Sequence, residues 1–327
     1  MPEAVWIAWE NQVRNKSLSS RLRAELHVVR SKRTRLVRYA ICSYRSLMVI
    51  WNRRPSAVFA PNPSIVLAYL LLILRSVFRY ALVIDAHYAG IVAPSGYALF
   101  QKALDYLNRR ADLVIVTNER HCKDIEAIGG RSLVCEDPLP DIGKYARAAS
   151  EESKNVVFIC SFDIDEPYAD VFRAAGLLHQ EGYVFWVTGE FRNAAISPSD
   201  WPNVRFMGYV PEAEFYRRLA DSQIVVDLTA QDNCLVCGAY EAMALEKPLV
   251  TSRTPALQKY FTHGTVFVDH EPVAIAEGVR LAYEKRGELK RQIKDWKVQA
   301  AIDNAKKLEA IRAMLRMSTP TMEHGNG

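Results

Sequence analysis

The chain has 327 residues, of which 50% are hydrophobic and 24% are charged, and its formal net charge is +5 at pH 7. This length suits two domains of ordinary size, each able to bury its own core. The composition excludes an intrinsically disordered chain, because enough apolar surface is present to offset the entropy lost on ordering. We therefore expect a two-domain globular protein.

The positive charge is concentrated near the N-terminus. Residues 1–55 contain twelve Lys or Arg against three Glu, although the net charge of the whole chain is only +5. Such a region attracts nucleic acid or an anionic bilayer, or it is simply a solvated helix face. No nucleic-acid-binding module or aromatic stacking surface is recognisable, so we expect no nucleic-acid partner. Contact with an anionic membrane surface and plain solvation both stay open, and we predict the first.

Apolar runs alternate with helical patterns along the first 134 residues. The predicted strands cover residues 4–9, 27–29, 57–60, 81–84, 113–117 and a run ending at 134. The predicted helices cover residues 17–25, with Ser17 as N-cap, and 37–50, 65–74, 96–110 and 119–128. Pro61-Asn62-Pro63 is expected to stop the third strand. This alternation predicts a doubly wound α/β domain.

The run from Ile65 to Leu74 is the one candidate for a membrane span in the sequence. Its ten apolar residues are too few to cross a bilayer, and Arg75 and Arg79 interrupt its continuation. We expect a buried or membrane-grazing helix instead. With no secretory signal recognisable and six scattered cysteines, we also expect reduced thiols and a cytoplasmic protein, peripheral at the inner face of the membrane.

A proline-rich connector at residues 137–141 separates this pattern from a second alternation. Its predicted strands lie near residues 155–160, 183–189, 203–210, 224–229 and 247–252, and most are continuous apolar runs suited to burial on both faces. A charged helical pattern follows over residues 272–317, and residues 318–327 are expected to form a loose tail. We predict one domain over residues 1–148 and another over residues 149–300.

The second alternation contains the most informative motif. Asn233, Cys234 and Leu235 lead through Gly238 into a predicted helix whose first turns hold a lone acid, Glu241. Free backbone N–H groups at a helix start attract phosphate, and a carboxylate one turn further in is placed to hold a pair of ribose hydroxyls. Cys234 and Cys237 form a lone Cys-x-x-Cys pair, which is a poor zinc site and is expected to be two packing residues.

This order resembles the donor-binding half of the glycosyltransferases with two Rossmann-like domains, the GT-B fold, and especially their family 4. The resemblance implies that Gly208-Tyr209-Val210 meets the nucleobase and that Glu241 grips the ribose. The first acid of the family's Glu-x7-Glu pattern would fall at position 233, which is Asn233 here. Thr229, Cys234, Leu235 and Gly238 complete the predicted donor site. The resemblance also implies two doubly wound domains that face each other across a cleft, with residues 301–327 starting as a helix that returns to the first domain.

In the first domain, Asp85-Ala86-His87 stands at the carboxyl end of a predicted strand. It resembles the Asp-x-His-x-x-Gly element of the same family, which implies that Asp85 or His87 takes a proton from the acceptor hydroxyl, or that His87 contacts the donor sugar. The alternative is an aspartate that caps a helix and a histidine satisfied in the core. Trp9, which follows the first strand, is either a stacking surface for a sugar ring or a core residue.

The turn after the first strand of the second domain departs from family 4. The basic pair that binds the diphosphate in that family is missing, and Asp165-Glu166-Pro167 stands there instead. These acids are read either as a functional element or as helix-start residues that favour the macrodipole. The departure leaves retention or inversion of the sugar stereochemistry open. The GT-B resemblance also implies catalysis without a metal.

The predicted function is therefore transfer of a sugar from a nucleotide diphosphate-sugar to a glycan acceptor, expected to be lipid-linked, in cell-surface or exopolysaccharide synthesis. No cofactor is expected, because the nucleotide sugar is a substrate. Two alternatives stay open: a catalytically silent membrane-docking subunit of a glycan-assembly complex, and a nucleotide-sugar epimerase on the same fold.

Overall fold

The computed structural model describes residues 3–62, 64–94, 96–147, 150, 152–194 and 196–315. They form two compact units. The first unit combines Met1–Pro138 with the chain from Ile302 onward, and the second is Leu139–Ala301. Each unit contains one six-stranded sheet in which all strand pairs are parallel, so the prediction of two doubly wound α/β domains is confirmed.

The sheet of the first unit has the order β2-β1-β3-β4-β5-β6. Its strands are β1 Ala4–Ala8, β2 Glu25–Val28, β3 Ala57–Asn62, β4 Ala81–Ala86, β5 Leu113–Val116 and β6 Ser132–Val134. Its helices are α1 Val13–Arg21, α2 Arg35–Arg53, α3 Ile65–Phe78, α4 Ala98–Arg110 and α5 Glu119–Ala127. The four inner strands are almost wholly buried, because helices cover both faces of a parallel sheet.

Three local predictions in this unit were wrong. Ser17 is not an N-cap, because α1 begins at Val13 and the Ser17 hydroxyl donates to the carbonyl of Arg14 one turn earlier. Pro61 does not end β3, which continues to Asn62. The strand β4 extends to Ala86, so Asp85 lies within a buried strand and not beyond its end.

The sheet of the second unit has the order β12-β11-β10-β7-β8-β9. Its strands are β7 Asn155–Phe158, β8 Val184–Thr188, β9 Val204–Gly208, β10 Ile224–Asp227, β11 Leu249–Ser252 and β12 Thr265–Val268. Its helices are α6 Tyr168–Leu178, α7 Glu212–Asp221, α8 Cys237–Ala244, α9 Pro255–Tyr260 and α10 Pro272–Glu284. A final helix, α11 Arg286–Met314, contains the division between the units at Ala301 and Ile302.

Each unit has apolar cores on both faces of its sheet. In the first unit, one of these cores includes Leu308 and Ile311, which come from the end of α11 and pack with residues of β1, β3 and α1. In the second unit, Trp296 from the start of α11 packs against Tyr260 and Phe261. Among the described residues, no helix is both long enough and apolar enough to cross a membrane.

Candidate active site

The strand order places a topological switch point between β7 and β10 in the second unit. The chain passes from β7 to β8 and β9 on one side, and then returns to β10 on the other side of β7. In open α/β sheets, ligands bind outside the carboxyl ends of the strands at such a point. The segments that follow β7 and β10 are residues 159–167 and 228–236, and both were singled out from the sequence.

The start of α8 is occupied by a carboxylate of the protein itself. The backbone N–H groups of Gly238 and Ala239 donate hydrogen bonds to Asp227, the last residue of β10. Burial raises the pKa of Asp227, and the nearby charges of Glu166 and Glu241 raise it further. We had expected these amides to bind phosphate, whereas in the structure they bond a side chain. Sequence inspection missed this role of Asp227.

The absence of a side chain at Gly238 lets β10 and α8 approach. A Cβ atom at this position would lie 2.5 Å from Oδ2 of Asp227 and 2.4 Å from Cδ1 of Ile159. Both distances are below any real contact, and Ile159 belongs to the segment after β7. Gly238 therefore allows the two sides of the switch point to approach each other closely. This role differs from the phosphate contact predicted for it.

Glu241 lies on α8, one turn further along, and is half-buried. Burial raises its pKa to about 7, with a smaller contribution from the charge of Glu212 on α7. Within the described residues its carboxylate has no hydrogen-bonding or ion-pairing partner, although buried polar groups normally find one. A partly buried acid with vacant acceptor positions beside a switch point can receive hydrogen bonds from a diol.

A chain of polar contacts runs along the carboxyl ends of β7, β10, β11 and β12. The hydroxyl of Thr229 donates to Oδ2 of Asp165 at 2.7 Å, and its backbone N–H donates to Oγ of Ser252 at 2.9 Å. Oγ of Ser252 also lies 2.8 Å from Nε2 of His270. The structure thus brings the predicted residue Thr229 together with Ser252 and His270, which sequence inspection did not select. The sequence signal for Ser252 and His270 was that both are polar residues at or just after the end of an apolar strand.

The acidic turn after β7 is organised by Glu166. Its carboxylate accepts hydrogen bonds from the backbone N–H of Ser161 at 2.9 Å and of Asp163 at 2.9 Å, and from the Ser161 hydroxyl at 2.9 Å. The turn also holds Phe162 at a φ of 64°, in the left-handed region. Glu166 therefore closes the loop at which the sequence departs from the family 4 pattern.

The remaining predicted donor-site residues lie near the same edge of the second unit. Gly208 ends β9 with a φ of 64°, and the next residue, Tyr209, is 81% exposed, whereas Val210 is half-buried. Asn233, Cys234 and Leu235 are half-buried in the loop before α8. Burial raises the pKa of Cys234 to about 11, so this thiol stays protonated at neutral pH.

In the first unit, Asp85 is fully buried and bound to Arg14. Nε and Nη2 of Arg14 donate to both Asp85 oxygens at 2.8–3.0 Å, and Nη1 donates to Oδ1 of Asp137 at 2.8 Å. Nη2 also donates to the carbonyl of Cys135. These carboxylates hold the pKa of Arg14 well above its usual value, although burial alone would lower it. The network ties α1 to β4 and to the segment after β6.

His87 follows β4 at the carboxyl edge of the sheet. Its Nε2 lies 4.0 Å from Oδ2 of Asp85, is buried, and has no hydrogen-bonding partner among the described residues. Its backbone N–H donates to the carbonyl of Asn62 at the end of β3. The side chain is 35% exposed, whereas that of Asp85 is inaccessible. Of the two predicted proton acceptors, His87 is the one whose side chain is accessible.

No group of three or more His, Cys, Asp or Glu side chains in the described part of the chain is arranged to hold a metal ion. None of the six cysteines forms a disulfide bond. Cys234 is half-buried and Cys237 is exposed. Their motif therefore offers two thiols without the further ligands that a structural zinc ion needs.

The sequence comparison and the structure comparisons both match glycosyltransferases. Residues 170–313 match the family described as glycosyl transferase-like. No curated protein matches the sequence. Together with the two doubly wound sheets, the family match confirms the predicted resemblance to GT-B glycosyltransferases, and the chain has the GT-B fold.

Several solved structures share this fold at low sequence identity. HepE of Anabaena, in complex with UDP and glucose, has a TM-score of 0.69 and 15% identity, covering 95% of this chain and 91% of that chain. A glycosyltransferase of Rickettsia africae ESF-5 has a TM-score of 0.68 and 10% identity over 95% and 90% of the two chains. Sucrose-phosphate synthase of Thermosynechococcus elongatus has a TM-score of 0.67 and 13% identity over 85% and 78%.

Proposed function

We propose that the protein transfers a sugar from a nucleoside diphosphate sugar to a lipid-linked glycan acceptor in the assembly of a cell-surface polysaccharide. The observation that carries the donor half of this proposal is the half-buried, unpartnered carboxylate of Glu241 beside the switch point of the second unit. In its ionised form this group accepts hydrogen bonds from the two hydroxyls of a ribose. A hydrogen bond to a charged group contributes roughly 1.5–3 kcal/mol.

For the base on the acceptor hydroxyl we propose His87. Both oxygens of Asp85 already accept hydrogen bonds from Arg14 and its side chain is inaccessible, whereas the side chain of His87 is 35% exposed. A neutral imidazole has one ring nitrogen that can accept a proton, so it can act as a general base. Asp85 supports this role, because its negative charge, 4.0 Å from Nε2 of His87, stabilises the imidazolium that forms. We further propose that no metal takes part.

A panel of UDP-, GDP- and dTDP-sugars in isothermal titration calorimetry tests donor binding, and we expect the UDP-sugars to bind. HepE, whose structures contain UDP and UDP-glucose, supports this choice of nucleotide. Turnover that requires an added acceptor supports the transferase. Conversion of the donor without any acceptor would favour an epimerase instead.

A second candidate is a catalytically silent subunit. It is favoured by Asn233 in place of an acid, by the acidic turn around Glu166, and by the bonding of Asp227 to the amides at the start of α8. Donor binding without turnover, whatever acceptor is supplied, would select this candidate over the transferase.

We propose that the first unit meets an anionic membrane surface. The helices α2 and α3 contact each other and expose large apolar side chains, namely Leu36, Val37, Tyr44 and Trp51 on α2 and Val66, Ile73 and Val77 on α3. Five basic residues lie beside them, namely Arg30, Lys32, Arg33, Arg35 and Arg38. Each contributes on the order of 1 kcal/mol near an anionic leaflet. We expect the protein to bind anionic but not neutral liposomes, and salt should weaken this binding. Equal binding to both kinds of liposome would contradict the proposal.

A further inference from the structure

The first unit has a switch point of its own, and a cavity opens there. The strands β2 and β3 flank β1, so the chain reverses direction across the sheet after β2. A cavity of about 570 Å³ is lined by Trp9 and Glu10 after β1, by the segment 30–32 after β2, and by Ser64, Ile65 and Val66 at the start of α3. Pockets in this position of an open α/β sheet bind ligands.

The charge in this cavity is positive and uncompensated. Arg30, Lys32 and Arg38 line it together with a single acid, Glu10. Among the described residues, none of these three cations forms an ion pair with a carboxylate. Other arginines of the chain do form ion pairs with carboxylates, namely Arg75, Arg120, Arg147 and Arg280. Three unpaired cations converging on one cavity favour a ligand with at least two negative charges.

The N-terminus of α3 adds to the positive electrostatic potential in the cavity. Ser64 precedes a helix of 14 residues and makes no side-chain hydrogen bond to it. A helix N-terminus carries a partial positive charge and presents backbone N–H groups, which suit phosphate. In the same wall, hydrogen bonds from Arg35 and Arg38 lower the pKa of Tyr39, as expected where the local potential is positive.

An aromatic wall borders the basic side chains. The rings of Trp9 and Tyr39 stack with their centroids 5.9 Å apart, and the indole N–H of Trp9 donates to Oγ of Ser46 at 3.0 Å. The guanidinium carbon of Arg38 lies 5.3 Å from the Tyr39 centroid. The pair is thereby fixed in orientation and offers an apolar face directly beside the cationic groups.

We propose that this cavity binds a phosphate or diphosphate ester of the acceptor, with Arg30, Lys32, Arg38 and the start of α3 on the phosphate and the Trp9–Tyr39 pair against the group esterified to it. This proposal rests on the proposed function, because it names the chemistry of the acceptor. The phosphate belongs either to an anionic lipid or to a soluble phosphate ester, which share the same binding chemistry.

Two matched variants test the site. Arg30→Gln and Arg33→Gln remove the same charge from the same exposed segment, but only Arg30 lines the cavity. The probe is phenyl phosphate, which joins an aromatic ring to a phosphate, with phenol and inorganic phosphate as its two halves. We expect the wild type and Arg33→Gln to bind phenyl phosphate equally, and Arg30→Gln to bind it roughly tenfold or more weakly. Both halves should bind more weakly than the whole probe.

Equal losses in the two variants would show diffuse surface charge, and no loss in either would show that the cavity does not bind phosphate; each result overturns the proposal. Competition of phenyl phosphate by vesicles containing phosphatidic acid would identify a lipid source, and competition only by soluble sugar phosphates would identify a soluble one. UDP-sugar binding measured on the same samples separates the two proposals. If donor binding persists while phenyl phosphate binding is absent, only the cavity proposal fails.

Discussion

Replacing Glu241 by Gln should weaken donor binding and stabilise the fold at the same time. Burial raises the pKa of this carboxyl from its ordinary value of 4.5 to about 7, so keeping it ionised above pH 7 costs folding free energy. A shift of this size corresponds to roughly 3 kcal/mol, of which the amide recovers about 1–3 kcal/mol. Loss of the charged acceptor should weaken donor binding about ten- to a hundredfold.

The pH dependence follows from the direction of this shift. The folded state holds a proton on Glu241 between about pH 4.5 and 7, whereas the unfolded state releases it. The free energy of unfolding of the wild type therefore falls as pH rises through this window, and the advantage of the Gln variant appears mainly above pH 7. Donor affinity has the opposite dependence, because only the ionised acid accepts both ribose hydroxyls.

Urea denaturation at pH 5 and pH 8, combined with calorimetric titration of UDP-glucose from pH 6 to 8, measures both effects. Glu212→Gln and Glu214→Gln form a matched pair, since both acids are exposed in the first turn of α7 and only Glu212 raises the pKa of Glu241. Glu212→Gln should shift the binding profile to lower pH, and Glu214→Gln should not. A Glu241→Gln variant that is less stable at pH 8 and binds donor normally would refute the reasoning.

Three further substitutions separate structural from catalytic groups. Asp85→Asn should lower the free energy of unfolding by roughly 3–5 kcal/mol in urea denaturation, because it leaves buried Arg14 without its main partner; a loss below 1 kcal/mol would contradict this. His87→Gln should retain donor affinity and melting temperature while lowering kcat roughly 10²–10⁴-fold, and an unchanged kcat would exclude it as the base. Gly238→Ala should cost roughly 1–3 kcal/mol in urea denaturation, because its Cβ meets Asp227; wild-type stability would refute the close approach.

The fold was largely predictable because its strands are continuous apolar runs between helical segments. The errors at Pro61 and Asp85 have a common cause. Proline and a charged side chain usually end a strand, but here Pro61 pairs with Asp85 in register, and Arg14 neutralises that carboxylate inside the sheet. Residues 318–327, predicted to be a loose tail, lie outside the described part of the chain.

The candidate site was predictable where it depends on local order along the chain. Gly238 and Glu241 lie about one turn apart on α8, so a helix predicted from the sequence already places them close together. The bonding of Asp227 to this helix was not predictable, since an acid at the end of a strand carries no sign of the helix that it meets. Likewise, Arg14 and Asp85 are 71 residues apart, and only the packing of α1 against the sheet brings them together.

The discontinuous first unit has a consequence for synthesis on the ribosome. Leu308 and Ile311 belong to the core that contains Trp6 and Phe59, and Ile311 is completely buried. That core lacks two of its members until Leu308 and Ile311 have been added, by which time all of Leu139–Ala301 has been synthesised. Since domains generally fold as units during synthesis, the second unit can close while the first still exposes apolar surface. The nascent chain is therefore most prone to aggregation through its earliest-made part.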